Sequence, residues 1–121
     1  MKTCLIVDDS RVVRKVARKI LEDFSFSCLE VEDGKQALDE CVKKLPDLVL
    51  LDWNMPNMTG IEYVRELRKL PDGQTPVVIF CTTENDIKHI QEALAAGANE
   101  YIMKPFDSGI IEDKLKQLGQ L

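Results

Sequence analysis

Two rhythms of apolar and polar positions alternate along this chain. Short runs at residues 3–7, 27–31, 48–51, 77–81 and 100–103 are bounded by charged, Pro or Gly residues and read as strands. Between them lie longer segments with apolar residues near helical spacing. The first predicted helix starts from an N-cap at Ser10 and runs to about Phe24, with Val12, Val13, Val16, Ile20 and Leu21 as its inner stripe. The second spans about 35–45, buries Ala37, Leu38, Cys41 and Val42, and is closed by Pro46. The third spans about 61–70 and ends at the turn Pro71-Asp72-Gly73. The fourth spans about 85–96, with Gly97 as its C-cap. The fifth covers about 108–118 and points Ile110, Ile111, Leu115 and Leu118 inward.

Strands alternating with helices of about 10–15 residues imply right-handed crossovers and a parallel sheet covered on both faces. The expected fold is therefore α/β, a doubly wound five-stranded sheet of flavodoxin-like type, as one domain over residues 1–121.

Three of the apolar runs end in charge. The first leads into Asp8-Asp9, the third into Asp52, and the fifth into Lys104-Pro105. Ligands of open parallel sheets bind outside the carboxyl ends of the strands. The order 2-1-3-4-5 puts the first and third strands side by side, which brings Asp8, Asp9 and Asp52 together. Three carboxylates at close range repel one another, so the cluster calls for a cation. An all-oxygen donor set suits a hard one such as Mg²⁺. Lys104, across from them, suits an anion.

Composition narrows the function classes. A net charge of −5 argues against non-specific nucleic-acid binding, so no DNA partner is expected. No apolar stretch approaches the roughly 20 residues needed to span a bilayer. The absence of a secretory-type start makes a cytoplasmic location the expectation. Cys4, Cys28, Cys41 and Cys81 lack metal-site spacing and read as reduced, mostly buried thiols. No stretch reads as a linker or an output domain, so a monomer signalling by contact is expected.

The segments LIVDDS at 5–10, LVLLDWNMPNMTG at 48–60, VVIFCTTE at 77–84 and ANEYIMKPF at 98–106 together resemble the response-regulator receiver domain of bacterial two-component systems, of the single-domain CheY-like kind. The resemblance implies that Asp52 is the phosphoacceptor. It also implies that Asp8, Asp9, Asp52 and the backbone carbonyl of Asn54 hold Mg²⁺, and that Lys104 pairs with a phosphoryl oxygen. By the same resemblance Thr82 and Tyr101 are switch residues, and Asn54 and Glu84 tune dephosphorylation. The Lys104–Pro105 bond is expected to be cis. Trp53 stands beside the acceptor, and Thr83 stands where a smaller residue is common, which would narrow access for small donors. The implied activity is that of a phospho-accepting switch and not of an enzyme in the ordinary sense. The donor would be a sensor histidine kinase or a histidine phosphotransfer protein. The output would be a downstream protein such as the flagellar motor, with a phosphorelay shuttle or phosphate sink as the alternative.

Other assignments fit the residues less well. An aspartyl-nucleophile phosphatase of the haloacid-dehalogenase kind needs a second acid where Asn54 stands. A flavodoxin-type flavin module needs a Ser/Thr-rich phosphate loop where the chain has LIVDDSRV. Taken singly, Asp8 is a candidate helix cap and either acid a partner for Arg11 or Lys104. The basic residues Arg11, Arg14, Lys15, Arg18 and Lys19 of the first helix suit either a solvated face or a docking surface, and less readily a phosphate clamp for a cyclic dinucleotide. His89 is expected to be exposed.

Overall fold

The continuous apolar runs form the middle of the molecule. A computed structural model describes residues 1–53, 55–83 and 87–121. Asn54, Glu84 and the expected start of the fourth helix at Asn85 lie outside the described residues. The elements follow one another as β1 (Thr3–Val7), α1 (Arg11–Asp23), β2 (Ser27–Val31), α2 (Gly34–Lys43), β3 (Leu48–Asp52), α3 (Gly60–Lys69), β4 (Val77–Thr82), α4 (Ile87–Ala96), β5 (Glu100–Met103) and α5 (Ser108–Gln117). All strand pairs are parallel, in the order β2-β1-β3-β4-β5.

Two apolar layers sandwich the sheet. Leu5 and Val7 of β1, with Val49 and Leu51 of β3, face α2, α3 and α4 through Ala37, Cys41, Tyr63, Val64, Leu67 and Ala93. Cys4, Ile6, Leu48 and Leu50 face α1 and α5 through Ala17, Leu21, Ile111 and Leu115. Strands covered on both sides must be apolar at every position, which is why β1 and β3 read as unbroken runs. Each such side chain stabilises the fold by about 1.5–3 kcal/mol. Among the described residues no helix is long and apolar enough to cross a membrane.

Local chemistry starts the helices. Ser10, Asp33 and Asp107 each accept a backbone N–H three residues on, capping α1, α2 and α5. At α3, Thr59 and Glu62 form a reciprocal capping box. Gly97 follows α4 with φ +121°, a conformation that L side chains rarely adopt. Beneath it, the half-buried Arg68 of α3 spreads its guanidinium over the Gly97 carbonyl (3.1 and 2.7 Å), the Gly73 and Pro76 carbonyls (2.9 and 2.8 Å) and Asn99 Oδ1 (3.1 Å). This clamp ties the end of α3 to the entrances of β4 and β5.

The helix faces differ from expectation in four places. Val12 and Val16 are exposed, and the buried line of α1 is Arg14, Ala17 and Leu21. The helix is rotated because Arg14 finds partners inside: its Nη1 donates to the Asp8 carbonyl at 2.7 Å and its Nε to Glu30 at 3.3 Å. Val42 on α2 and Ile110 on α5 also face outward, each beside a neighbour (Cys41, Ile111) that takes the inward place. The four thiols are free, with Cys28 only half-buried and the others buried.

Candidate functional site

The carboxyl ends of β1, β3 and β5 meet at one rim of the sheet. Among the described residues Asp8, Asp9 and Asp52 form a group whose carboxylate oxygens lie within 4.8 Å of one another. The pairing of β1 with β3 up to Val7 and Leu51 produces this convergence, since the next residue on each strand is an acid.

Asp8 is 3% exposed and held at three points. Its Oδ1 accepts the Ser10 N–H at 2.8 Å, its Oδ2 accepts from Lys104 Nζ at 2.8 Å, and its carbonyl accepts from Arg14. The side chain thus braces the start of α1, but the cap is Ser10 and not Asp8, the alternative role the sequence left open for that acid. Asp9 is exposed. Asp52 is buried, and its Oδ1 accepts from the same Lys104 ammonium at 2.9 Å. Lys104 follows β5, its N–H bonded to the Thr82 carbonyl at 2.9 Å, and the Lys104–Pro105 bond is cis as expected.

Burial and charge pull in opposite directions here. Burial raises the Asp52 carboxyl above the usual carboxylate range; the bond from Lys104 opposes the rise, and the charges of Asp8 and Asp9 add to it. Burial works against the Lys104 ammonium, yet its bonds to Asp8 and Asp52 outweigh that and raise its pKa. The ammonium is an internal counter-ion for a site with more negative charge than it can neutralise. A hard dication fits the remaining all-oxygen donors.

Thr82, buried, ends β4 next to Cys81, which is itself buried and lies in register with Asp52. Trp53 donates its backbone N–H to the Cys81 carbonyl at 3.1 Å and packs its half-buried ring on Phe80 and on His89, the latter edge-on at 4.9 Å. His89 is therefore half-buried against the tryptophan and not exposed. Tyr101 is half-buried on β5, with Lys114 Nζ 5.6 Å from its ring centre. Asn54 and Glu84 lie outside the described residues. An apolar groove lined by Val12, Val13, Val16, Thr83, Pro105 and Phe106 borders Lys104.

Sequence reasoning placed Arg14 on a solvated or docking face and missed that it is buried. It also missed that Lys15 and Arg18 are not simply solvated: both join Arg14 on Glu30 of β2, at 2.8 and 2.9 Å. Burial opposes the Glu30 charge, but the bonds from Lys15 and Arg18 hold its pKa at about 2. Five basic residues crowding α1 opposite an acid in the next strand were the available signal.

Comparison with known proteins agrees with this geometry. A family profile described as response regulator receiver domain matches residues 4–116. Chemotaxis protein CheY-3 of Vibrio cholerae is 36% identical over 115 residues, covering 94% of this chain and 88% of its own length. The phosphate regulon regulator PhoB of Pseudomonas aeruginosa is also 36% identical, over 95% of this chain but 50% of its own. The solved structure of the chemotaxis response regulator CheY4 of Vibrio cholerae superposes with a TM-score of 0.92 at 31% identity, covering 98% of both chains. The receiver domain of the Pseudomonas aeruginosa sensor histidine kinase PA1611, solved with magnesium in its active-site cleft, gives 0.88 at 27% identity, covering 96% of this chain and 95% of its own. With its acids and lysine at the rim of a 2-1-3-4-5 sheet, the chain belongs to the response regulator receiver family.

Proposed function

We propose that this receiver domain, acting as a unit over residues 1–121, takes a phosphoryl group onto Asp52 from the phosphohistidine of a sensor kinase or phosphotransfer protein. One observation carries this reading: a single ammonium, Lys104, joins Asp8 and Asp52 inside a cluster of three carboxylates. Asp52 is the nucleophile, its carboxylate oxygen forming the bond to phosphorus as the donor imidazole leaves. Lys104 pairs with a phosphoryl oxygen and offsets the charge that builds there. Asp8, Asp9 and Asp52, with the Asn54 backbone carbonyl, would hold Mg²⁺. When bound, the ion supplies charge neutralisation at the phosphoryl oxygens.

The groove of Val12, Val13, Val16 and Phe106 beside Lys104 suits the partner that brings the phosphohistidine, because it offers apolar contact next to the acceptor. Thr82 and Tyr101 carry the switch, and Asn54 and Glu84 set the lifetime of the phosphoryl group. The switched surface is that of α4, β5 and α5, where Ile87, Leu94 and Ile110 are exposed. Likeness to chemotaxis regulators supports a motility target such as the flagellar motor. The test is acid-labile labelling with acetyl phosphate and Mg²⁺, alongside Trp53 fluorescence. Wild type is expected to label and to lose emission intensity, whereas Asp52→Asn does neither. Equal labelling of the variant would remove Asp52 from the mechanism.

A further inference from the structure

We propose that Arg14, anchored by Glu30, is a positioning residue that sets how tightly the acidic loop holds a divalent cation; this rests on the reading of Asp8, Asp9 and Asp52 as a Mg²⁺ site. Asp9 is exposed, so its carboxylate is placed mainly by the backbone that carries it. The peptide that joins it to Asp8 is pinned by Arg14, whose Nη1 donates to the Asp8 carbonyl at 2.7 Å. The guanidinium is itself fixed at its other edge by Glu30, 3.3 Å from Nε. Glu30 is in turn held by Lys15 at 2.8 Å and Arg18 at 2.9 Å, and its backbone is in register with Ile6 of β1. A chain of charged contacts therefore runs from the α1–β2 surface to the peptide plane between two of the three carboxylates.

Charge alone predicts the opposite of what positioning predicts. Arg14 is a cation near a cation site, so removing its charge would tighten Mg²⁺ binding if Coulomb repulsion were its only effect. Loss of the clamp frees the Asp8–Asp9 peptide to rotate and loosens binding. Outer contacts that orient metal ligands typically change affinity about 10–100-fold, and an exposed ligand with rotational freedom belongs at the low end.

The experiment is calorimetric titration of the full chain with MgCl₂ well below its unfolding temperature, paired with the ¹H–¹⁵N shift of the Asp9 amide. Arg14→Met is expected to raise Kd about tenfold, and Glu30→Gln about threefold, the scale of one hydrogen bond. The double variant should be no weaker than Arg14→Met, because both act through one clamp. The Asp9 amide should shift in each variant before Mg²⁺ is added, and Lys19→Met should leave both readouts in place. A Kd at or below wild type in Arg14→Met overturns the proposal. If that variant does not fold, the same result in Arg14→Lys, which keeps the charge and loses the fork, overturns it. A wild type that binds no Mg²⁺ overturns both the metal site and the clamp, whereas tight wild-type binding with unaltered variants overturns the clamp alone.

Discussion

Replacing Arg68 by Ala removes the five N–H···O contacts that join α3 to the segments leading into β4 and β5. Four acceptors lose a bond, Asn99 Oδ1 keeping a second donor, the Val78 N–H at 2.8 Å. At about 1 kcal/mol net for each acceptor, the gross cost is about 4 kcal/mol. Arg68 is half-buried, so water reaches part of the vacated space, and the side chain no longer has to be ordered, which returns about 1–2 kcal/mol. The expected loss is about 2–3 kcal/mol. A chain of 121 residues unfolds with an entropy near 0.25 kcal/mol/K, so the melting temperature should fall by about 8–12 °C. Arg68→Lys should recover less than half, since one ammonium cannot reach three carbonyls on two segments. Differential scanning calorimetry of the three proteins measures this directly. A melting temperature for Arg68→Ala within about 3 °C of wild type would show that solvent satisfies these carbonyls as well as the guanidinium does.

Two further outcomes test other parts of the structure. Glu30 has a folded pKa of about 2 against an ordinary value of 4.5, so its contribution is present above about pH 4.5 and is lost as the pH falls towards 2. Wild type should be more stable than Glu30→Gln by about 1–2 kcal/mol at pH 7, solvent at Lys15 and Arg18 screening part of the effect, and the gap should close on acidification; a gap independent of pH would refute this. Gly60→Ala would place a Cβ 2.6 Å from the buried Phe80 ring and 2.7 Å from the Asp52 carbonyl. Neither neighbour can yield without strain, so urea unfolding should show a loss of about 1–3 kcal/mol, and the phosphorylation proposed for Asp52 should slow as its backbone is strained. An unchanged midpoint would mean that the start of α3 yields more readily than its packing implies.

The sequence carried the strand order because β1, β3 and β4 are buried on both faces, which leaves a continuous apolar signature, and because the acids that interrupt it fall at chemically meaningful places. Asp8, Asp9, Asp52 and Lys104 were legible for that reason. Helix rotation was harder to read. On α1 the valines at 12, 13 and 16 invite one phase, yet a paired arginine at 14 makes another phase cheaper, and pairing depends on Glu30 of β2, whose register no local pattern reveals. The contact of His89 with Trp53 was hidden similarly, since it joins the end of β3 to α4 across the layers.

An acyl phosphate is a mixed anhydride, and a neighbouring thiolate would cleave it to a thioester with release of inorganic phosphate. Cys81 lies across from Asp52 in the strand register, the neighbour from which such an attack would come. Burial pushes the Cys81 thiol far above its usual range; Lys104 pulls it the other way, but Asp8 and Asp52 reinforce the rise. The sulfur is kept as S–H, a far weaker nucleophile than the thiolate. On the proposed chemistry, discharge of the phosphoryl group is thereby left to water and to partner proteins, and the sulfur at the heart of the sheet stays a spectator.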